Sequence, residues 1–539
     1  MDKDIRDDHA AEPERGRRFI LNIRVIVSSL GTLLLFFSGL MAVPLLVAIF
    51  YEGPGARAVP LSPAAWRREI LAFSLAIGLS AVCGLLLKVA THGARAREIG
   101  VRDGFAVVSV AWAVLALFGA LPFFLSGEHA FGNFTNAYFE TVSGLTTTGS
   151  SILADIESLP NGLLFWRSFT HWIGGMGIVV LAVAIFPAMG VGGYQLYRAE
   201  TSGPTKERLS PRIAETAKIL WGVYVLLTAI MVILLLPRMS LFDSLCQTFG
   251  AMATGGFSTR NLSIGGFSSL YVDVVVIIFT FLAGINFVLH YQALRGNLKP
   301  LIHDRQTQLY TAVILVSIVL VTLSVYLVPP AVPAGSPVTV SSERLAAEQA
   351  KVASLPGALH HAAFTVVTLN ATCGFSTADF DLWPNFCRFL LIVLMFLGAS
   401  AGSTSGALKT IRIILLAKVA RREIERMIRP RAVLPVKLSG QVIPEEILTN
   451  VVGLFILYMG IFALATATMM WFVPDITSAF SAVAATMGGV GPGLSAVGPY
   501  QNYDGVAAAG KWVLCACMLL GRLEFYSVLI ILLPRTWRT

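Results

Sequence analysis

The sequence predicts an all-α polytopic membrane protein, and three observations predict it. The 539 residues are 55% hydrophobic and only 13% charged, with a mean hydropathy of +0.73, which is too apolar for a soluble chain of this size. Apolar runs of about 20 residues, enough to cross a hydrocarbon core of about 30 Å, recur throughout. Between four pairs of these runs lies a shorter segment that ends in glycine.

In chain order, the spans are expected near 26–50, 70–91, 105–127, 162–189, 214–237, 265–292, 308–329, 385–417, 447–472 and 508–533. The first 25 residues carry charges of both signs and no compact apolar segment before a small-residue cleavage site. No cleavable signal is therefore expected, and the first helix inserts itself. The loops on the side of the two termini hold 26 Lys and Arg against 8 on the other side, so both termini are expected in the cytoplasm. This loop excess accounts for the basic pI of about 9.3 without nucleic acid. The six cysteines have no metal-ligand spacing.

After the third run the chain reads "NAYFETVSGLTTTGSS", too short to span, and similar segments follow the fifth, seventh and ninth runs. Their ends, "TTTGSS", "ATGGFS", "ATCGFS" and "MGGVGPG", place Gly149, Gly256, Gly374 and Gly491 in register at intervals of 107, 118 and 117 residues. One supersecondary unit used four times is the simplest account. Residues 1–104 then hold the cytoplasmic N-terminus and two extra helices, and the four units occupy 105–190, 191–292, 293–417 and 418–539. Gly, Ser and Thr also favour plain helix packing, but that explains one such stretch and not four in register.

Irregular backbone at membrane depth survives only where protein buries it or water lines it. Four such segments about one axis would make a ring whose backbone carbonyls replace the hydration shell of a cation, the chemistry of a potassium filter. The ring residues are expected to be Thr147, Thr148 and Gly149; Thr254, Gly255 and Gly256; Thr372, Cys373 and Gly374; and Gly489, Val490 and Gly491. Each preceding short helix would aim its negative C-terminal end at the cation. Glu128, Asp155 and Glu157, in a loop without Lys or Arg, would concentrate cations at the mouth.

The eighth run contains Gly398, Ala399, Ser400, Ala401, Gly402, Ser403, Thr404, Ser405 and Gly406 in succession. Glycine at this density opposes helix, so a break is expected, with the small loop projecting into a polar cavity below the ring. Six basic residues lie in or near spans: Lys88, Arg167, Arg388, Lys409, Arg412 and Arg522. Intramembrane charge points to function or a partner, although Lys88, Arg388, Lys409 and Arg412 can snorkel. Arg522 is too deep for that, and Glu524, two residues on, is on another face. His171 and His290 read as packed, hydrogen-bonded side chains. The stretch from 330 to 356 reads as a surface excursion, and the basic segment 417–440 as a lipid-headgroup anchor or a docking surface.

"ETVSGLTTTG", "VGPG" and "GASAGSTSGALKTIR" resemble the TrkH-type potassium uptake proteins of bacteria, in the superfamily that includes KtrB and the plant HKT transporters. The resemblance covers about 105–533, and the two leading helices fit the TrkH branch. It implies potassium as the transported ion, since glycine occupies all four filter positions, whereas serine in the first goes with sodium. It further implies that 398–406 is a gate with Arg522 against it beneath the filter, a homodimer in the bacterial inner membrane, and a nucleotide-binding, TrkA-like cytosolic ring as partner. No Walker loop, zinc-ligand helix or paired intramembrane aspartates are present, so neither an enzyme nor a bound cofactor is expected. The competing reading is an alternating-access transporter whose broken eighth helix binds substrate; the single orientation of the four units opposes it.

Overall fold

The computed structural model describes residues 22–51, 62–92, 101–185, 213–438, 440–523, 525 and 528–529. Among the described residues the regular structure is helical, with one two-residue antiparallel pair, Lys437–Leu438 with Gln441–Val442, and an isolated bridge between Leu397 and Leu408. The leading segment comprises α1 (Ile23–Leu40), α2 (Ala42–Tyr51) and α3 (Pro63–Ala90). Helices α1 and α3 meet at Gly31 and Gly84, where a side chain on either glycine would strike the other's carbonyl within 3 Å. That is the small-residue contact expected of membrane helices.

Four sets of helix, short helix, helix follow. The first is α4 (Val101–Gly119), continued by α5 (Leu121–Leu125), then α6 (Phe134–Leu145) and α7 (Asn161–Ile185). The second is α8 (Ile213–Leu235), α9 (Leu241–Met252), α10 (Leu270–Ala283) and α11 (Phe287–Leu294). After α12 (Lys299–His303) come α13 (Arg305–Leu327), α14 (Ser342–Val352), α15 (Leu355–Asn370), α16 (Asn385–Phe396) and α17 (Thr410–Ile428). The last set is α18 (Glu445–Met469), α19 (Ile476–Gly488) and α20 (Ala508–Arg522).

The short helices α6, α9, α15 and α19 have 12, 12, 16 and 13 residues. At 1.5 Å per residue none reaches across the hydrocarbon core. Each begins where a side chain caps a free backbone N–H: Asn133 accepts from Asn136, Ser240 from Asp243, Ser354 from Gly357 and Asp475 from Ser478. Among the described residues, six helical stretches are long and apolar enough to cross a membrane: 23–51, 63–90, 106–125, 216–235, 305–327 and 445–469.

Two expectations are revised. The sixth run reads as one continuous span, but α10 and α11 meet at 104° across Gly284–Asn286. A side chain on Gly284 would lie 2.4 Å from the Tyr310 hydroxyl, and Asn286 caps the new helix through Val288 N–H. Nor is 330–356 a mere excursion: α14 is tied to the third quarter's mouth by Arg344–Asp379 at 2.6 Å and by Asp379 N–H on Glu348 Oε2 at 2.9 Å. The expected break in the eighth run lies between α16 and α17. The run 162–189 is described as far as 185, and the tail beyond 529 lies outside the described residues.

Candidate functional site

The four short helices converge on one ring, and each ends in the same way. The N–H groups of Thr148, Gly255, Cys373 and Val490 reach back to the carbonyls of Ser143, Gly250, Thr368 and Ala485 at 2.7–2.8 Å. This six-to-one closure requires a left-handed residue just before the donor. Thr147, Thr254, Thr372 and Gly489 supply it, with φ of +53°, +54°, +58° and +68°. A β-branched residue in that region is strained, and such strain clusters at functional sites.

Two residues on, Gly149, Gly256, Gly374 and Gly491 again have positive φ, +85°, +83°, +75° and +99°. The residue between keeps negative φ in each quarter. Such alternation of hand turns successive peptide groups to a common side, as in backbone anion nests but with the carbonyls as the active groups.

The glycines also close the circle. A Cβ on Gly149 would lie 2.0 Å from Gly255 O, one on Gly256 1.9 Å from Cys373 O, one on Gly374 1.9 Å from Val490 O, and one on Gly491 2.7 Å from Thr148 O. Each quarter's glycine therefore lies against the carbonyl preceding the next quarter's glycine, and the fourth returns to the first. All twelve candidate ring residues are brought together. His171 packs behind Gly255, its ring 4.2 Å from that of Phe257, and neither of its nitrogens has a partner among the described residues. His290 is hydrogen-bonded to Leu282 O at 2.8 Å.

Below the ring, residues 397–409 form the small-residue loop. Its two ends are pinned together, Gly398 N–H to Leu408 O at 2.9 Å and Thr410 N–H to Ala399 O at 3.1 Å. Its middle reaches the break between α10 and α11: Ser400 N–H binds Gly284 O at 3.0 Å, and Phe287 N–H binds Gly402 O at 3.1 Å. Thr404 Oγ1 donates to Met252 O and Ala283 O at 3.1 and 3.3 Å. On the ring side, Gly406 N–H donates to Thr372 Oγ1 at 2.7 Å.

Arg522, at the end of α20, donates from Nη1 to Thr404 O at 2.7 Å. It is buried, and its Nε and Nη2 have no partner among the described residues. Glu524 lies outside the described residues. Arg388 does not snorkel; it pairs with Asp381 at 3.0 Å. Lys409 donates to Ser405 O within the loop.

At the mouth, two of the acids expected to draw cations are engaged from the neighbouring quarter, Glu157 by a cation and Asp155 by a neutral amide. Arg260 reaches Glu157 at 3.3 Å, and Asn261 donates to Asp155 at 2.9 Å. Asp379 is held well up from the usual carboxylate range, at about 6, chiefly by burial; Arg344 opposes this, and Asp381 and Glu348 add to it. No group of three or more His, Cys, Asp or Glu suited to a metal ion occurs among the described residues.

Sequence reasoning missed the left-handed threonines and the buried pair Arg167–Glu140, 2.5 Å apart. A threonine two residues ahead of the ring glycine in the first three quarters was the available signal for the former. No local signal marks the latter, whose members are 27 residues apart.

A helical membrane chain that brings the ends of four short helices into one closed backbone ring, with a small-residue loop packed against it, has the architecture of a membrane cation transport protein. The chain belongs to the TrkH family, described as cation transport proteins, which matches residues 73–536. It is 38% identical over 521 residues to the Trk system potassium uptake protein TrkH of Escherichia coli K12, covering 96% of this chain and 100% of that protein. It is 30% identical to the E. coli K12 TrkG protein, covering 96% and 99%. The crystal structure of the potassium transporter TrkH from Vibrio parahaemolyticus matches with a TM-score of 0.81 at 33% identity, covering 96% of this chain and 100% of that one.

Proposed function

We propose that the protein takes up potassium across the bacterial inner membrane, with both termini in the cytoplasm. The cyclic contact of Gly149, Gly256, Gly374 and Gly491 with their neighbours' carbonyls carries this reading. In it, the ring is the selectivity filter, where backbone oxygens replace the ion's water, and α6, α9, α15 and α19 aim their C-terminal dipoles at the ion. The loop 398–406 is the gate. Arg522, cationic whether or not it is buried, opposes potassium beneath the filter and holds the loop through Thr404 O. The names of the relatives support potassium as the ion. The family resemblance supports a homodimer regulated by a nucleotide-binding, TrkA-like cytosolic ring.

The test is ion flux through purified protein in liposomes, with and without a proton gradient. Potassium influx that exceeds sodium influx and follows the potassium gradient alone is the expected result. Flux that requires a proton gradient and saturates as a carrier would favour the alternating-access reading, with the broken eighth helix as the binding element.

A further inference from the structure

The four quarters share a ring but not the groups that fasten its outer edge. Nine residues before the ring glycine stand Glu140, Gln247, Thr365 and Ala482; two residues after it stand Ser151, Ser258, Ser376 and Gly493. In the second quarter Gln247 donates to the Ser258 hydroxyl at 2.8 Å. In the first, Glu140 accepts from the Ser151 hydroxyl at 2.9 Å and from Ile152 N–H at 3.0 Å. Thr365 Oγ1 has no partner among the described residues, and Ala482 offers none.

Glu140 is paired with Arg167 at 2.5 Å, and the two side chains are 0% and 2% exposed. Arg167 then crosses to the second quarter: Nη1 donates to Ser258 O at 3.0 Å, and the guanidinium lies 3.9 Å from the centre of the Phe257 ring. The remaining seams differ. Between first and fourth quarters, Ser150 Oγ donates to Gly491 O at 2.9 Å and Tyr503 N–H to Ser151 O at 2.8 Å. Between second and third, Gly265 N–H donates to Ser376 O at 3.1 Å. Between third and fourth, Ser495 N–H donates to Asp381 Oδ1 at 3.0 Å.

We infer that Glu140 and Arg167 are positioning residues for selectivity: a buried ion-pair clamp that sets the spacing between the first and second filter strands just outside Gly149 and Gly256. This rests on the filter reading above. Glu140 is not a cation ligand, because Oε1 is taken by Ser151 and Arg167 and Oε2 by Ile152, and because its charge is matched. A buried pair fixes geometry better than it stabilises, since desolvation offsets much of its attraction. The planar guanidinium suits this, serving a carboxylate and a carbonyl at once.

The test is the ratio of potassium to sodium flux in liposomes, with the amount of monodisperse protein measured alongside. Arg167→Lys keeps the charge and loses the second arm; it is expected to lower the ratio roughly tenfold, the lower range for one charge-assisted hydrogen bond. The double variant Glu140→Gln with Arg167→Met removes both charges. It is expected to recover the folded yield that Glu140→Gln alone loses, yet not the ratio. Ser151→Ala removes one hydrogen bond to Glu140 Oε1 and leaves the ion pair with Arg167 in place; it is expected to fold and to lower the ratio about threefold.

Wild-type ratios in well-folded Arg167→Lys and Ser151→Ala would overturn the clamp. So would full recovery of the ratio in the double variant, which would make the pair a packing element. A wild-type protein with no preference for potassium sinks the filter reading itself, and the clamp with it.

Discussion

The glycine ring and the small-residue loop beneath it are both irregular backbone buried at membrane depth, yet they are held in different ways. The ring is over-determined: each quarter has a helix end, a left-handed residue fixed by a six-to-one hydrogen bond, and a glycine with no room for a Cβ. The loop is fastened by single hydrogen bonds to several elements and leaves Ser400 Oγ and two Arg522 nitrogens without partners among the described residues. The contrast teaches that irregular backbone can be either a gauge or a latch. A gauge must resist displacement, whereas a latch needs bonds that can be exchanged one at a time.

Substituting one glycine in each region gives the largest difference. Gly256→Ala would place a methyl 1.9 Å from Cys373 O, and backbone cannot step aside. Potassium uptake by cells lacking other uptake systems should fall below about a tenth of wild type. Gly402→Ala, at φ +77°, carries left-handed strain of about 1 kcal/mol, but its nearest contact is the Asn286 side chain at 2.8 Å and not a backbone carbonyl, so uptake should fall by less than about tenfold. Equal losses would erase the distinction.

Gly149→Ser belongs with the ring. Its Cβ would meet Gly255 O at 2.0 Å, so discrimination of potassium from sodium should fall through displacement of the second filter strand. Unchanged uptake ratios in folded protein would count against this register.

Arg522→Gln should raise basal flux by about tenfold: roughly 3 kcal/mol of opposition at about 6 Å and an effective dielectric constant near 20, reduced by water in the cavity. Arg522→Lys should keep part of the regulation. Shortening the loop between Ala399 and Gly406 should also raise flux, and the two changes together should fall short of the product of their separate effects. Multiplicative effects would place Arg522 outside the latch.

Thr404→Ala removes the hydroxyl bonds to Met252 O and Ala283 O and leaves the Arg522 bond to the backbone. At about 1 kcal/mol per neutral hydrogen bond, basal flux should rise a few-fold.

The smallest effect is expected at the mouth. Asp379 stays protonated to about 6, above its ordinary value of 3.8, so its contribution to stability is complete below about pH 4 and is lost as pH rises through about 6. Arg344→Gln removes the charge that opposes this and should move the window upward by less than about one pH unit, a stability difference on the order of 1 kcal/mol given the part-exposed arginine. Thermal melts of detergent-solubilised protein between pH 4 and 8 would show it; an unmoved profile would mean that Arg344 does not govern this carboxyl.

The helical class and the short re-entrant segments were legible because length against the bilayer is read directly from sequence, and the ring register because four glycines recur at near-constant spacing. The bend at Gly284–Asn286 was not, since 270–289 is apolar but for Asp273, Thr280 and Asn286, and the one glycine within it does not outweigh that. Arg167 was visible as a charge in a span, but its partner Glu140 lay in a segment read only for its glycine. The mouth appeared acidic because loops were counted one at a time, whereas Arg260 crosses to Glu157 from the next quarter.

Because the ring is written into a single polypeptide, one codon alters one quarter. In an assembly of four identical chains, any substitution at a filter position is made four times at once. Here Glu140, Gln247, Thr365 and Ala482 have diverged while four glycines persist, so each wall of the passage can be adjusted by itself, and a mutant library of this one gene samples ring asymmetries that no homotetramer can reach.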